Sequence, residues 1–578
     1  MLHILPSVAF PGQCARPTVR RSRAAFICPG MSRHEPCFAS RRKRNEPMRS
    51  TRNATADLLI GSLSVVTCAR IRDMLELPER QGVAILSKRI FFVLALLLLG
   101  LQLACHPGSG GGGGHDGPVI LITVDTLRAD RIGAYGSAQA LETTSIDRIA
   151  REGAMALRAV VPVGRTTQSV GTILTGLHPL NHGADGLGMN LDDSLVTMAE
   201  ILGKAGYQTA AFTSNTMLQP GKGFEQGFGI YSNPRNRWRG NHAEEITEEA
   251  ISWLDHRAAD GNRFFLWLHY LDPHWSYEPE EKWAQMTDPE WSGPFDLFAR
   301  HERGEINKGE IIFFAEDHLS EREITHMRKL YDGEVLQTDA AIGHFLDALE
   351  SRNLLDESLI VLTSDHGEAL GAHEYWFAHG ETLYDDTLQV PWVVRFPSVI
   401  PAGTVLDGVL RVEETLPTIL GLLNLDGTTG IDGEDISDRL REGGRSTLPI
   451  RPAIHLTDIN LLHEQNPRRW GGRHEGRWWS ARLGRWKLIQ IPTGPGEFQE
   501  ELYDLDADPE EASNLAEIHP EKVDELRLLI EAEREAEQTD FRDDDEIDLE
   551  HLEELHSLGY ATSNNSRPAD AQRETHRP

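Results

Sequence analysis

At 578 residues the chain exceeds the roughly 250–300 at which a single hydrophobic core stops growing, so one large domain with a smaller companion is expected. With 57 Lys and Arg against 89 Asp and Glu, the formal charge of -32 argues against a nucleic-acid partner, and no local basic patch stands out in the body of the chain. All five cysteines (Cys14, Cys28, Cys37, Cys68 and Cys105) precede residue 106, so the chain from that residue onward holds no disulfide, thiolate metal site or thiol nucleophile.

Residues 1–82 read as an upstream extension. The first 73 are Arg-rich and unpatterned and precede a segment that normally begins a protein, which points to Met74 or Val83 as the start. In "LSKRIFFVLALLLLGLQLACHPGSGGGGG", Lys88 and Arg89 lead into a fifteen-residue apolar run, 90–104, with Ala104 just ahead of Cys105. That is the layout of a secretory signal, too short for a full membrane span. A cysteine directly after it suggests bacterial lipoprotein processing, with an uncleaved signal anchor as the alternative; Gln102 departs from the usual aliphatic residue. The expectation is a signal over 83–105, a Gly-rich tether over 106–117, and an exported protein attached to the membrane on the periplasmic or outer face of a bacterial envelope.

From residue 118 the pattern becomes regular. "PVILITV", "TAAFTS", "RFFLWLHY", "SLIVLTS" and "PWVVRF" are apolar runs of strand length, and helical periodicity fills the gaps, as in "EEITEEAISWLDHR". Buried strands alternating with helices predict an α/β domain over 118–450, a mostly parallel sheet sandwiched by helices. Over 451–540 "RPAIHL", "GRWWSARLGRWKLIQI" and "EELYDLDADPEE" read as a short antiparallel sheet, followed by an amphipathic helix from about Pro520 to Ala536. Trp478, Trp479 and Trp486 read as packing for this α+β subdomain, against a carbohydrate platform. The acidic and polar tail, 541–578, is expected to end in disorder.

Chemistry gathers at the carboxyl ends of parallel strands. There lie Asp125, then His269, Asp272 and His274, then Asp365 and His366. A lone strand-end Asp is commonly a cap or turn residue. Several from separate strands, joined by a hydroxyl from "GRTTQSVGTILTGLHPLNHG", can converge on one divalent cation.

The blocks "ILITVDTLRADRIGAYG", "ILTGLHPLNHG", "LHYLDPHWSYEP", "YDGEVLQTDAAIG", "LTSDHGEALGAHEYWFAHGETLYDDTLQVPWVVRFP" and "GRWKLIQ...EELYDLDADPEEASNL" resemble, in order, those of the sulfatase family within the alkaline phosphatase superfamily. The resemblance runs from about residue 118 to 535. Sulfatases oxidise a Cys or Ser to formylglycine, with Pro and Arg two and four residues on, about nine residues before "TG". Counting back from Thr175 and Gly176 lands on Thr166, with Cys, Pro and Arg all absent. Formylglycine is therefore not expected. The chain looks like the phosphodiesterase, phosphoglycerol transferase and phosphoethanolamine transferase members, which keep an unmodified threonine there.

The resemblance implies one divalent metal ion on Asp125, Thr166, Asp365 and His366, lowering the proton affinity of the nucleophilic hydroxyl. Mn²⁺, Mg²⁺ or Zn²⁺ suits the set and Ca²⁺ suits it less, with a second ion open to His269, Asp272 and His379. The family's frequent second Asp is Thr126 here. His274 is expected to face the transferring group and His379 to contact it or protonate the leaving oxygen. Arg165, His182 and His269 are substrate-binding candidates, with a loop-ordering role open for His182 and a buried strand position for His269. The helix beginning near Gln168 would aim its free amides at the anion. The implied activity is hydrolysis of sulfuric or phosphoric esters, including phosphodiesters and phosphonates. Transfer to an envelope hydroxyl and a non-catalytic binding role are the alternatives; a single apolar run favours the hydrolase. Substrate and oligomeric state are not legible.

Overall fold

A computed structural model describes residues 115–539 apart from short stretches, the longest being 234–241 and 458–476. The upstream extension, the signal with Cys105, most of the tether and the tail lie outside the described residues.

The main sheet takes β1 (Val119–Val124), β2 (Ala154–Val160), β3 (Gln208–Thr213), β4 (Ile230–Ser232), β5 (Phe264–Tyr270) and β6 (Leu359–Ser364). A hairpin of β7 (Ala369–Leu370) and β8 (Trp376–Ala378) comes next, and the chain rejoins the sheet with β9 (Gln389–Val390), β10 (Trp392–Arg395), β11 (Thr404–Arg411) and β12 (Arg445–Thr447). The order is β12-β11-β2-β10-β6-β1-β5-β3-β4, with β9 on β2. β1 runs parallel to both β5 and β6, while β10 is antiparallel to β2 and β6, so the sheet is mixed but mostly parallel.

β1 is buried throughout because both of its faces are covered. Val119 and Leu121 point into one core with Val170, Ile173 and Leu174 of the helix Thr166–Thr175. Ile120 and Ile122 point into the other, with Tyr331, Val335, Ile342 and Phe345 of the helix Glu321–Ser351. That long helix starts at a capping box in which Ser320 and Glu323 satisfy each other's backbone N–H.

β13 (Pro452–Leu456), β14 (Trp479–Leu483), β15 (Trp486–Gly494) and β16 (Glu497–Asp504) form the second, antiparallel sheet. The helix Pro520–Thr539 packs Val523, Leu526 and Ile530 against Leu456, Trp479, Leu488 and Leu502. Trp478 and Trp479 are buried, in line with a packing role. The small sheet joins the large one through Leu456 N–H, which donates to Pro162 O at 3.0 Å, and the His455 ring, 2.8 Å from Val161 O.

The first described residues are pinned where the parallel strands begin. Leu359 N–H donates to Pro118 O at 2.9 Å, Tyr207 Oη donates to His115 O at 2.7 Å, and the His115 ring packs edge-on against Phe396.

Candidate active site

Because β1 lies between β5 and β6, with β3 one strand further, the carboxyl ends of four strands open side by side. Asp125 follows β1, Asp365 and His366 follow β6, Asn215 lies just past β3, and His269 is the penultimate residue of β5. His366 Nε2 is 3.5 Å from Asp125 Oδ1 and 3.6 Å from Asp365 Oδ2. His269 Nε2 is 3.5 Å from Asp125 Oδ2. Thr166, the first residue of its helix, brings Oγ1 to 3.4 Å from His366 Nε2. The four residues expected at the metal thus meet at one buried point.

His269 joins them. Its Nδ1 is 2.8 Å from Thr123 Oγ1, which turns Nε2 toward the carboxylates. Ligand atoms of Asp125, His269 and Asp365 all lie within 4.8 Å of one another. Asp125 Oδ1, Asp365 Oδ2 and His269 Nε2 are buried without a hydrogen-bond partner. An unsatisfied buried polar atom costs about 1–3 kcal/mol, so three around one point fit a cation far better than they fit an empty core. His269, expected among the substrate-binding candidates or in a second metal site, thus stands in a group that could hold a metal ion with Asp125 and Asp365.

The electrostatics agree. Burial and then the charge of Asp125 hold the Asp365 carboxyl well above its ordinary range. Burial would also raise Asp125, but the His269 ring and the charges of His274 and His366 bring it down to about 2. Burial lowers His366 from its ordinary value, against the opposing pull of Asp125. Two carboxylates this close are an unfavourable pair alone and a favourable one around a dication. Two carboxylates, two imidazoles and a hydroxyl suit a transition-type ion such as Mn²⁺ or Zn²⁺ better than all-oxygen Ca²⁺.

Around this point His379 and His274 form a second tier. The His379 ring centroid lies 4.2 Å from that of His366 and 5.1 Å from that of His274. His379 Nδ1 is 3.3 Å from Glu368 Oε1, and His274 Nδ1 is 2.6 Å from Trp275 O, so a proton passed to substrate by either ring leaves from Nε2. Arg165 is buried beside Thr166 and hydrogen-bonds Glu381.

Two of the candidate residues are engaged by the polypeptide. His182 is fully committed to the polypeptide: Nε2 lies 3.1 Å from Gln168 O, Nδ1 accepts from Ala184 N–H at 3.2 Å, and burial drives its pKa down to about 3. It braces the back of the Thr166 helix, where Gly171 leaves room for its ring, and takes the loop-ordering role. Asp272 accepts the Ala243 N–H at 2.8 Å in the first turn of the helix His242–Arg257, and among the described residues it forms no second cation group with His269 and His379.

Two contributors, Asn215 and Glu381, went unmarked in the sequence. Asn215 donates from Nδ2 to Asp125 Oδ2 and, at 3.3 Å, to Thr166 Oγ1, so it ties the two residues together. It stands just past a strand end, in "TAAFTSN", where the same rule that found Asp125 applies. Glu381 carries no local signal, since its partner Arg165 is more than two hundred residues away; Glu368, in "GEALGAHEYW", reads from the sequence as a loop residue near the site, and here it lies 3.3 Å from His379 Nδ1.

The protein-family model described as Sulfatase matches residues 118–425. An arylsulfatase of Clostridium perfringens is 24% identical over 490 residues, spanning 74% of this chain and 96% of that protein. A solved structure of a protein in complex with its substrate D-glucosamine-2-N,6-O-disulfate has a TM-score of 0.60 at 20% identity, covering 75% of this chain and 100% of that one. The phosphonate monoester hydrolase of Agrobacterium radiobacter has a TM-score of 0.58 at 21% identity, covering 73% and 95%.

Proposed function

Since the chain belongs to the sulfatase family of the alkaline-phosphatase-like fold, a family of metal-dependent ester hydrolases, we propose that it hydrolyses sulfuric or phosphoric esters with the unmodified Thr166 as nucleophile. The observation that carries this reading is the place of Thr166 Oγ1: at a helix start, 3.4 Å from His366 Nε2, held by Asn215 and surrounded by the unpartnered atoms of Asp125, Asp365 and His269.

A divalent cation held by Asp125, Asp365, His366 and His269 would lower the proton affinity of the Thr166 hydroxyl, so that its proton is released to solvent and the side chain enters and leaves the cycle as the alkoxide, and it would draw charge from a non-bridging substrate oxygen. Asn215 fixes the rotamer of Thr166, so that Oγ1 faces the substrate. As Oγ1 bonds to phosphorus or sulfur, the ester oxygen departs and takes a proton from His379 Nε2, while His274 contacts the transferring group. The Thr166 helix start favours the anion throughout. Water then displaces Oγ1 from the same centre, its proton returns to His379, and the threonine is regenerated. This second displacement is needed because a threonyl ester, unlike a formylglycine hydrate, cannot collapse by elimination. Phosphorus tolerates it well, which favours phosphodiesters and phosphonate esters over aryl sulfates.

Acid quench during turnover of a phosphate ester tests the reading. The peptide containing Thr166 should carry a phosphoryl group on that threonine. A label on another residue, or none despite a burst of leaving group, would overturn it.

A further inference from the structure

The segment 379–388 meets the site at three places. It begins with His379. Glu381 pairs with Arg165, the residue before the nucleophile. The Thr387 carbonyl accepts the Gly367 N–H at 2.8 Å, directly after His366. The fit is close, since a Cβ on Gly367 would lie 2.3 Å from Asp386 O.

The far side of this segment is gripped by the small sheet. Asp385, which opens the short helical turn Asp385–Leu388, receives Lys487 Nζ on Oδ1 at 2.6 Å and Arg482 on Oδ2 at 3.0 Å. Its backbone N–H donates to Glu511 Oε2 at 2.6 Å, and Lys487 Nζ reaches Glu511 Oε1 at 2.8 Å. The side chains of Lys487, Arg482 and Glu511 are 0%, 1% and 2% exposed. Next to Asp385, the Tyr384 hydroxyl donates to Glu501 Oε2 at 2.8 Å, which adds a tie to β16. A buried ionic set of this kind is a poor source of net stability, because desolvation offsets its attraction and a hydrophobic replacement is often as stable; what it supplies is one permitted geometry.

We propose that Lys487 is a positioning residue for the active site: by holding Asp385, with Arg482 and Glu511, it fixes segment 379–388 against the Thr166 helix and the Asp365–His366 loop, and so sets where His379 meets the leaving oxygen. The small sheet is then part of the catalytic apparatus although none of its residues touches the metal-ligating group. The inference rests on the proton-donor role proposed for His379.

The test uses the full-length, metal-loaded protein and two phenylphosphonate esters, one with a 4-nitrophenol leaving group and one with phenol. A misplaced proton donor hurts the poor leaving group, whereas a smaller folded fraction lowers both rates equally. Lys487→Met should lower kcat for the phenyl ester at least about tenfold more than for the 4-nitrophenyl ester, with metal content unchanged. Glu511→Gln, in which Lys487 keeps Asp385, should fold and shift the ratio in the same direction by less, and it decides the matter if Lys487→Met does not fold. In a His379→Ala background Lys487→Met should leave the ratio unchanged. Equal losses on both esters, or none, overturn the proposal. A His379→Ala enzyme that does not discriminate between the esters removes the proton-donor role itself and the proposal with it. Discrimination by His379→Ala without any by the Lys487 and Glu511 variants removes this inference alone.

Discussion

Ser364 Oγ lies 2.6 Å from the Val124 carbonyl oxygen, tying the last residue of β6 to the last residue of β1. The same oxygen accepts the Leu127 N–H at 3.0 Å and stands 2.6 Å from His366 O, so the loops bearing Asp125 and Asp365 leave the sheet together. Ser364→Ala strands these buried backbone groups, at about 1–3 kcal/mol. Loosening the support of metal ligands commonly weakens metal affinity about 10- to 100-fold, and that is expected here. Metal titration and the Tm of the same variant check it; wild-type values for both would show that the contact does nothing for the site.

Asp365→Ala should lose metal and turnover together. The metal-free variant should nevertheless unfold no earlier than metal-free wild type, because the deleted carboxyl is one that burial and Asp125 oppose. Elemental analysis beside calorimetry separates the two effects. Full metal occupancy in the variant would disprove the ligand assignment.

Thr166→Ala should remove most activity, on the order of 10³-fold or more in kcat/KM, and Thr166→Ser should keep a measurable part, since the hydroxyl alone is required. A fully active alanine variant would end the covalent mechanism.

Substrate preference is open to direct measurement. Rates on a phosphonate monoester and a phosphodiester should exceed that on a matched aryl sulfate at equal metal loading. A sulfate rate far above both would reverse the order argued from the threonyl ester.

Stability should fall with acid below neutrality. His182 and His455 are driven down to about 3 and His178 to about 4, in each case by burial, so all three stay neutral in the fold while their unfolded counterparts protonate near 6.5. Above pH 6.5 both states are neutral and nothing is lost. Below it the unfolded state binds more protons, and each such histidine costs up to about 1.4 kcal/mol per pH unit until its own folded pKa is reached. Tm measured from pH 7.5 to 5 should drop steeply for the wild type and less steeply for His182→Asn. Parallel curves would contradict the buried neutral state of His182.

Asp125, Asp365 and His366 are legible in the sequence because each ends a continuous apolar run, and a parallel sheet brings such ends together by its topology. Thr166 is legible from its distance to "TG" and the empty formylglycine pattern. His269 is harder to read: it lies inside a buried strand, and what turns its Nε2 toward Asp125 is Thr123, a neighbour only through strand pairing. β2 and β11 lack an unbroken apolar run because they carry Arg158 and Asp407, so they do not announce themselves as strands. The ionic set around Asp385 joins residues about a hundred positions apart, and no local periodicity encodes it.

The pinning of Pro118 at the start of β1 carries a geometric consequence for a chain lipidated at Cys105, as we propose it to be. The six residues of β1 put roughly 20 Å between that attachment edge and the catalytic loops. The ten residues of leash from 106 to 115 extend to at most about 35 Å. A leash of that reach exceeds the depth of the sheet, so anchoring at Cys105 would by itself leave the catalytic loops of such a chain able to meet esters in solution as well as headgroups of its own leaflet.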